Sequence, residues 1–154
     1  MKRNEIISIL LNGEKPRVLK SLALEVIPFL MKREKAGFSE LNIMFCDDMK
    51  IKELNFEFRK KNKPTDIITF CYEEGKIKGM IGDIAISVQT AKRQAKEHGH
   101  SLKTEVTILL VHGFYHLMGY DHIKDSDHKK MSRKEEEALE ALSALKSIKG
   151  IEKH

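Results

Sequence analysis

The chain has 154 residues, a formal net charge of +5, 41% apolar and 33% charged residues, and only two cysteines. A chain of that size buries a single core without covalent staples, its composition excludes a disordered or fibrous protein, and no apolar run reaches the ~20 residues that cross a bilayer. Cys46 and Cys71 fall in separate predicted strands with no C-x-x-C spacing, which favours a reducing compartment and two small buried side chains.

At the N-terminus, Met1-Lys2-Arg3 and the run Ile6–Leu11 faintly resemble a secretory signal, but the run is short, Glu5 interrupts its approach and no small-residue cleavage site follows. A cytoplasmic protein is expected. Residues 6–11 read as a short strand. Over Val18–Lys35 the apolar positions Leu19, Leu22, Val26 and Leu30 recur at helical spacing, with Pro28 expected to kink or split the helix. Leu41–Cys46 reads as a buried strand. Asp47 or Asp48 then caps a helix whose apolar side carries Met49, Ile51, Leu54 and Phe58 and which ends in Arg59-Lys60-Lys61.

Cations at a helix C-terminus complement its dipole, which accounts for the lysines and in part for Arg59. The same run, Arg59 to Lys63, together with Lys92, Arg93 and Lys96 further on, also suits a polyanion such as nucleic acid, and charge alone does not separate that from solvated surface. Lys63-Pro64-Thr65-Asp66 is a turn. Ile67–Tyr72 and Met80–Ile86 read as an antiparallel pair joined through Glu73–Lys76. Asp83 is unusual in so apolar a strand, and either faces water at an edge or is a buried acceptor, for instance one that orients a ligand histidine.

Ser87 caps a helix from Gln89 to His98 that Gly99 closes, so His98 reads as a helix-end cation and His100 as a loop residue. Leu102–Met118 is apolar on nearly all sides and is the core helix of the domain. After a turn at Asp125-Ser126-Asp127, a last helix carries Met131, Ala138, Leu139, Leu142 and Leu145 on one stripe, with Glu135-Glu136-Glu137 mostly on the wet side. His128 and His154 read as surface residues. Neither repeats nor linkers divide residues 1–154, so a single domain is expected.

The chemistry concentrates at the end of the core helix. His112 and His116, four apart, share one helical face and can aim two imidazoles at one point. His122 would lie roughly 9 Å beyond His116 on a continuous helix, so Gly119 must end the helix and let the chain return. The pattern H-G-x-x-H-x-x-G-x-x-H has the spacing of the metzincin zinc motif, with Gly113 where a peptidase carries its Glu base. A metal can bind, but ordinary peptide hydrolysis has lost its base. Three neutral imidazoles leave one zinc ion with its full charge and an open position, which suits an anionic substrate. Gly113 costs about 1 kcal/mol against Ala inside a helix, so either close packing or backbone access for a substrate must require it.

His112-Gly113-x-x-His116-Leu117-x-Gly119-Tyr120-Asp121-His122 resembles the H-G-x-L-H-L-x-G-Y-D-H of the YbeY-type ribosomal RNA maturation factors, bacterial zinc proteins described as single-strand endoribonucleases. Asn62-Lys63-Pro64-Thr65-Asp66 with Ile67–Phe70 is similar to that family's N-x-P-T-D-V-L-S-F-P, and Gly82-Asp83-Ile84-x-Ile86-Ser87 fits a third piece. The resemblance runs from about Leu41 to Leu142 and departs at Tyr115, where the family usually has Leu, and at Cys71, where it has Pro.

It implies an α+β fold, a small mixed, mostly antiparallel sheet with about five helices, and one zinc ion on His112, His116 and His122. It also implies a cytoplasmic endoribonuclease that acts on single-stranded RNA in ribosomal RNA maturation and ribosome quality control. The implied partners are ribosomal RNA and the small ribosomal subunit, with no membrane and no DNA, and Arg59 would serve RNA binding or catalysis. Asp83 and Asp121 are candidate orienters of the ligands, Asp121 equally a turn residue. The alternative is a non-catalytic RNA-binding ribosome-assembly factor with a structural zinc. A metallohydrolase of some small substrate is a weaker third reading, distinguished by RNA affinity that ignores added salt.

Overall fold

The computed structural model describes residues 7–11, 17–72, 80–120 and 125–145. Among them the chain forms β1 (Ile7–Leu11), α1 (Arg17–Glu34), β2 (Phe38–Cys46), α2 (Asp48–Arg59), β3 (Ile67–Tyr72), β4 (Met80–Ser87), α3 (Val88–His98), α4 (Leu102–Leu117) and α5 (Asp125–Ser143). The helix ends follow local chemistry. Asp47 accepts the Lys50 N–H at 2.8 Å, and Ser87 and Ser101 accept those of Thr90 and Thr104. Gly99 takes φ +73° and Gly119 φ +99°, so each supplies the left-handed residue at which a helix can turn back. α1 runs unbroken through Pro28, which the packing of Leu19, Leu22, Ala23, Val26, Ile27 and Leu30 into the core outweighs.

The four strands lie in the order β1-β2-β4-β3. β1 pairs parallel with β2, β2 parallel with β4, and only β3 with β4 is antiparallel. The sheet is therefore mixed, and the expectation of a mostly antiparallel sheet is corrected. The misleading feature is alternation. Parallel strands covered on both faces read as continuous apolar runs, whereas here α1 and α4 cover one face and α2 only part of the other. β1 and β2 consequently alternate buried and accessible residues, as a half-covered antiparallel sheet does.

On the covered face Leu41, Ile43 and Phe45 of β2 and Ile84 and Ile86 of β4 meet α4's Leu110, Phe114 and Leu117. α4 is the buried central helix, and Gly113 sets how closely it approaches the sheet. A Cβ there would stand 2.9 Å from Ile67 Cδ1, 3.3 Å from Thr69 Cγ2 and 3.4 Å from Ile84 Cδ1. Of the two reasons for a glycine at this point, close packing is present.

Tyr115 is fully buried and tied at its hydroxyl, donating to Glu34 Oε2 at 2.8 Å, while Lys134 donates to Glu34 Oε1 at 3.0 Å. α1, α4 and α5 are joined by this one carboxylate. Cys46 is buried as expected, whereas Cys71 is exposed near the end of β3, a correction to its reading as a core residue. No helix among the described residues is long and apolar enough to cross a membrane.

Candidate active site

α2 ends at Arg59, and the next residue, Lys60, adopts the left-handed conformation at φ 60°, turning the chain back over the helix. Asn55, buried one turn earlier, donates to the Lys63 carbonyl at 2.9 Å and holds the basic turn against α2. The Asp66 carbonyl accepts the Ser87 N–H at 2.9 Å, which fixes the other end of the loop to β4. The loop is thus anchored at both ends.

Through this arrangement Arg59, far from the histidines in sequence, shares a cavity of about 180 Å³ with His112 and His116. Thr65, Asp66, Ile67 and Thr69 line the remainder. The two imidazoles have centroids 5.9 Å apart and stand nearly edge to face at 76°. Both are partly exposed on a helix otherwise buried around them, so they face the cavity from a rigid support.

A carboxylate that the sequence pattern had assigned to the wet side completes the support. His112 Nδ1 lies 3.0 Å from Glu135 Oε2 on α5. That hydrogen bond raises the His112 pKa above the ordinary histidine value against the opposing effect of burial, and the charges of Glu135 and Asp66 act in the same direction. With Nδ1 as donor, Nε2 carries the lone pair. This is how a metal-binding histidine is usually oriented. Glu135 could have been found from spacing, because Met131 and Leu139 lie four residues to either side of it and are both buried. Glu136 and Glu137 are exposed as expected.

Asp83 is not brought to this cavity. It occupies the inner strand β4, on the opposite face from Ile84, where its Oδ1 accepts from Asn42 Nδ2 at 2.9 Å. There it lines a separate apolar groove of about 380 Å³ with Leu54, Phe58, Phe70 and Tyr72. His122 and Asp121 lie outside the described residues.

A second constellation was not legible from motifs. His98 Nδ1 and His100 Nε2 lie 3.0 and 2.6 Å from the same oxygen, Glu105 Oε1. The three ligand atoms fall within 4.8 Å of one another, so this His-His-Glu cluster could hold a metal ion. His98 and His100 are therefore more than a helix-end cation and a loop residue. Of the other cations proposed for a polyanion surface, Arg93 is engaged with Asp48 at 2.8 Å, beside Ser87 and Thr90.

Comparison with known proteins places the chain in a family. Residues 11–143 match the family model described as Endoribonuclease YbeY. Proteins named Endoribonuclease YbeY from Bacillus mycoides (strain KBAB4) and Bacillus cereus (strain ATCC 10987 / NRS 248) are each 42% identical over 114 residues, covering 68% of this chain and 73% of theirs. The solution structure of TM1509 from Thermotoga maritima superposes with a TM-score of 0.59 at 27% identity, covering 88% of this chain and 90% of that one. With the family pattern spanning both the basic turn and the histidine helix that meet at the cavity, the chain belongs to the YbeY endoribonuclease family.

Proposed function

We propose that this protein is a zinc-dependent endoribonuclease that cuts single-stranded RNA during ribosomal RNA maturation and ribosome quality control. One observation carries the reading: a guanidinium and two imidazoles, delivered by different elements, line the same cavity. The donor set fits a metal. His112 and His116 occupy one helical face, and the Glu135 carboxylate holds the His112 Nδ1 proton, leaving Nε2 to ligate. His122, beyond the left-handed Gly119, would be the third ligand. A zinc ion held there would supply Lewis acidity toward a phosphate oxygen and toward water, which would offset the missing Glu base at Gly113.

The chain's own groups do the rest. Arg59 presents a planar fork to two phosphate oxygens and balances the negative charge that grows as the P–O bond breaks. Glu135 fixes the His112 ring against rotation, and Asp66 adds negative charge beside it. The basic turn from Lys60 to Lys63 extends the positive field along the path of a strand.

The test is cleavage of an end-labelled single-stranded RNA by wild type, His112→Ala and Arg59→Ala. The His112 variant should be inactive, and the Arg59 variant slower by about 10²-fold or more. Wild-type affinity for RNA should fall with salt, with the slope reduced by about 0.7 when Arg59 is lost. A product ending in cyclic phosphate assigns the ribose 2′-hydroxyl as nucleophile, and its absence assigns water. Undiminished cleavage by folded His112→Ala and His116→Ala proteins would sink the enzyme reading in favour of an assembly factor with a structural zinc.

A further inference from the structure

We propose that His98, His100 and Glu105 form a second divalent-metal site, separate from the histidine cavity, that ties the end of α3 to the start of α4. The Glu105 side chain is only 4% exposed and that of His100 only 2%, so a carboxylate and an imidazole face each other with little access to water. His98, at 48%, forms the open side through which an ion enters and water completes the coordination. Two imidazole nitrogens and one carboxylate oxygen are a common zinc donor set, borderline in softness and net −1 when both rings are neutral.

The geometry is close to what coordination requires. Zinc at about 2.0–2.2 Å from each ligand atom spaces those atoms by roughly 3.3–3.5 Å. Both rings now meet one oxygen at 3.0 and 2.6 Å, so opening the contacts by less than about 1 Å admits the cation. In those contacts each nitrogen donates its proton to the carboxylate oxygen, so ion binding requires the proton to move to the ring's other nitrogen, Nε2 of His98 and Nδ1 of His100, or to leave to solvent.

Its position defines its role. Glu105 sits in the first turn of α4, seven residues before His112 and on nearly the same stripe. At a rise of 1.5 Å per residue the two sites are about 10 Å apart along the helix, too far for the ~3.5–4 Å of a shared two-metal centre. The ion is a structural clamp. It joins His98 at the last position of α3, His100 just past the left-handed Gly99, and the helix that carries the catalytic histidines.

The experiment counts bound zinc by equilibrium dialysis for wild type, His98→Ala and the double variant His112→Ala/His116→Ala, with cobalt(II) absorption reporting each site. Two ions in wild type and one in each variant are expected. Wild type with one ion that His98→Ala loses, and the double variant keeps, would support this site while removing the metal from the cavity. The site is refuted if His98→Ala keeps the full wild-type complement, or if wild type holds no ion. Should the double variant not fold, the comparison of wild type with His98→Ala, altered only at a half-exposed side chain, still decides. A thermal check accompanies it: at a hundredfold excess over Kd, zinc should raise the melting temperature of the double variant by roughly 5 °C or more, and that of a triple variant also carrying His98→Ala by nothing measurable.

Discussion

Tyr115 is fully buried on α4, and its hydroxyl gives a measurable handle on how that helix is held. The donor lies in a fully buried side chain, and its acceptor, Glu34, is itself held by Lys134. Burial, and then Glu34 beside it, pushes the Tyr115 pKa well above the ordinary tyrosine value, so the hydroxyl remains a donor. Burial alone would raise the Glu34 pKa, but the hydrogen bonds from Lys134 and Tyr115 outweigh it and the carboxyl titrates below its ordinary value of 4.5.

A hydrogen bond to a charged partner contributes about 1.5–3 kcal/mol, so Tyr115→Phe should destabilise by about 2 kcal/mol and lower the melting temperature by roughly 4–8 °C. Glu34→Ala reverses the logic. It leaves the hydroxyl without its acceptor, so adding Tyr115→Phe to that background should cost nothing or stabilise slightly. Chemical denaturation of the four proteins gives a coupling energy of about 2 kcal/mol or slightly more if the bond acts as described. Equal costs of Tyr115→Phe in both backgrounds would refute the reasoning. The sign with pH also follows. A depressed carboxyl stabilises the fold above 4.5 and loses that contribution as pH falls through its lower folded value, so the wild-type advantage over Glu34→Ala should fade in acid.

Glu135→Gln should weaken zinc binding at the cavity by about 10–100-fold with the fold intact, as read by competition with a chromogenic chelator. Asp48 titrates below its ordinary 3.8, because hydrogen bonds from Ser87, Thr90 and Arg93 overcome its burial. Its contribution is therefore present above 3.8 and lost as pH falls further, and Asp48→Asn should flatten that limb of the acid-unfolding curve. Gly113→Val should overpack α4 against Ile67, Thr69 and Ile84, costing about 1–3 kcal/mol in denaturant melts and reducing cleavage more than stability alone predicts.

The helix boundaries were legible because their signals are local: Asp47, Ser87 and Gly99 each act within a turn of their own position. Strand direction was not. Whether β2 runs parallel to β1 and β4 depends on crossovers through α1 and α2, and the clearest short-range cue in the chain, the β3–β4 hairpin, pointed the other way. In the site, the i, i+4 placement of His112 and His116 came from helical geometry, whereas the juxtaposition with Arg59 depends on the Lys60 turn and the loop anchors, and only the family resemblance pointed to it. Glu135 is hidden in the sequence because three consecutive glutamates look like a solvated patch, although only two of them are exposed. The turn at Gly99 was legible as a helix end, but no motif gives a cue that it brings His98 and His100 together on Glu105.

The missing side chain at Gly113 also decides which wall of the cavity can yield. With helix and sheet in direct contact at Gly113, no slack separates the helix backbone there from Ile67, Thr69 and Ile84, and sliding one past the other would shear packed methyl groups. A bulky nucleotide must gain its room from the opposite bank, between Lys60 and Asp66, where hydrogen bonds at Lys60, Lys61 and Lys63 hold one end and the Ser87 N–H to the Asp66 carbonyl holds the other. Turnover in this enzyme should therefore be tuned by the stiffness of a seven-residue bridge, and substitutions from Lys60 to Lys63, outside the cavity lining, should alter substrate entry.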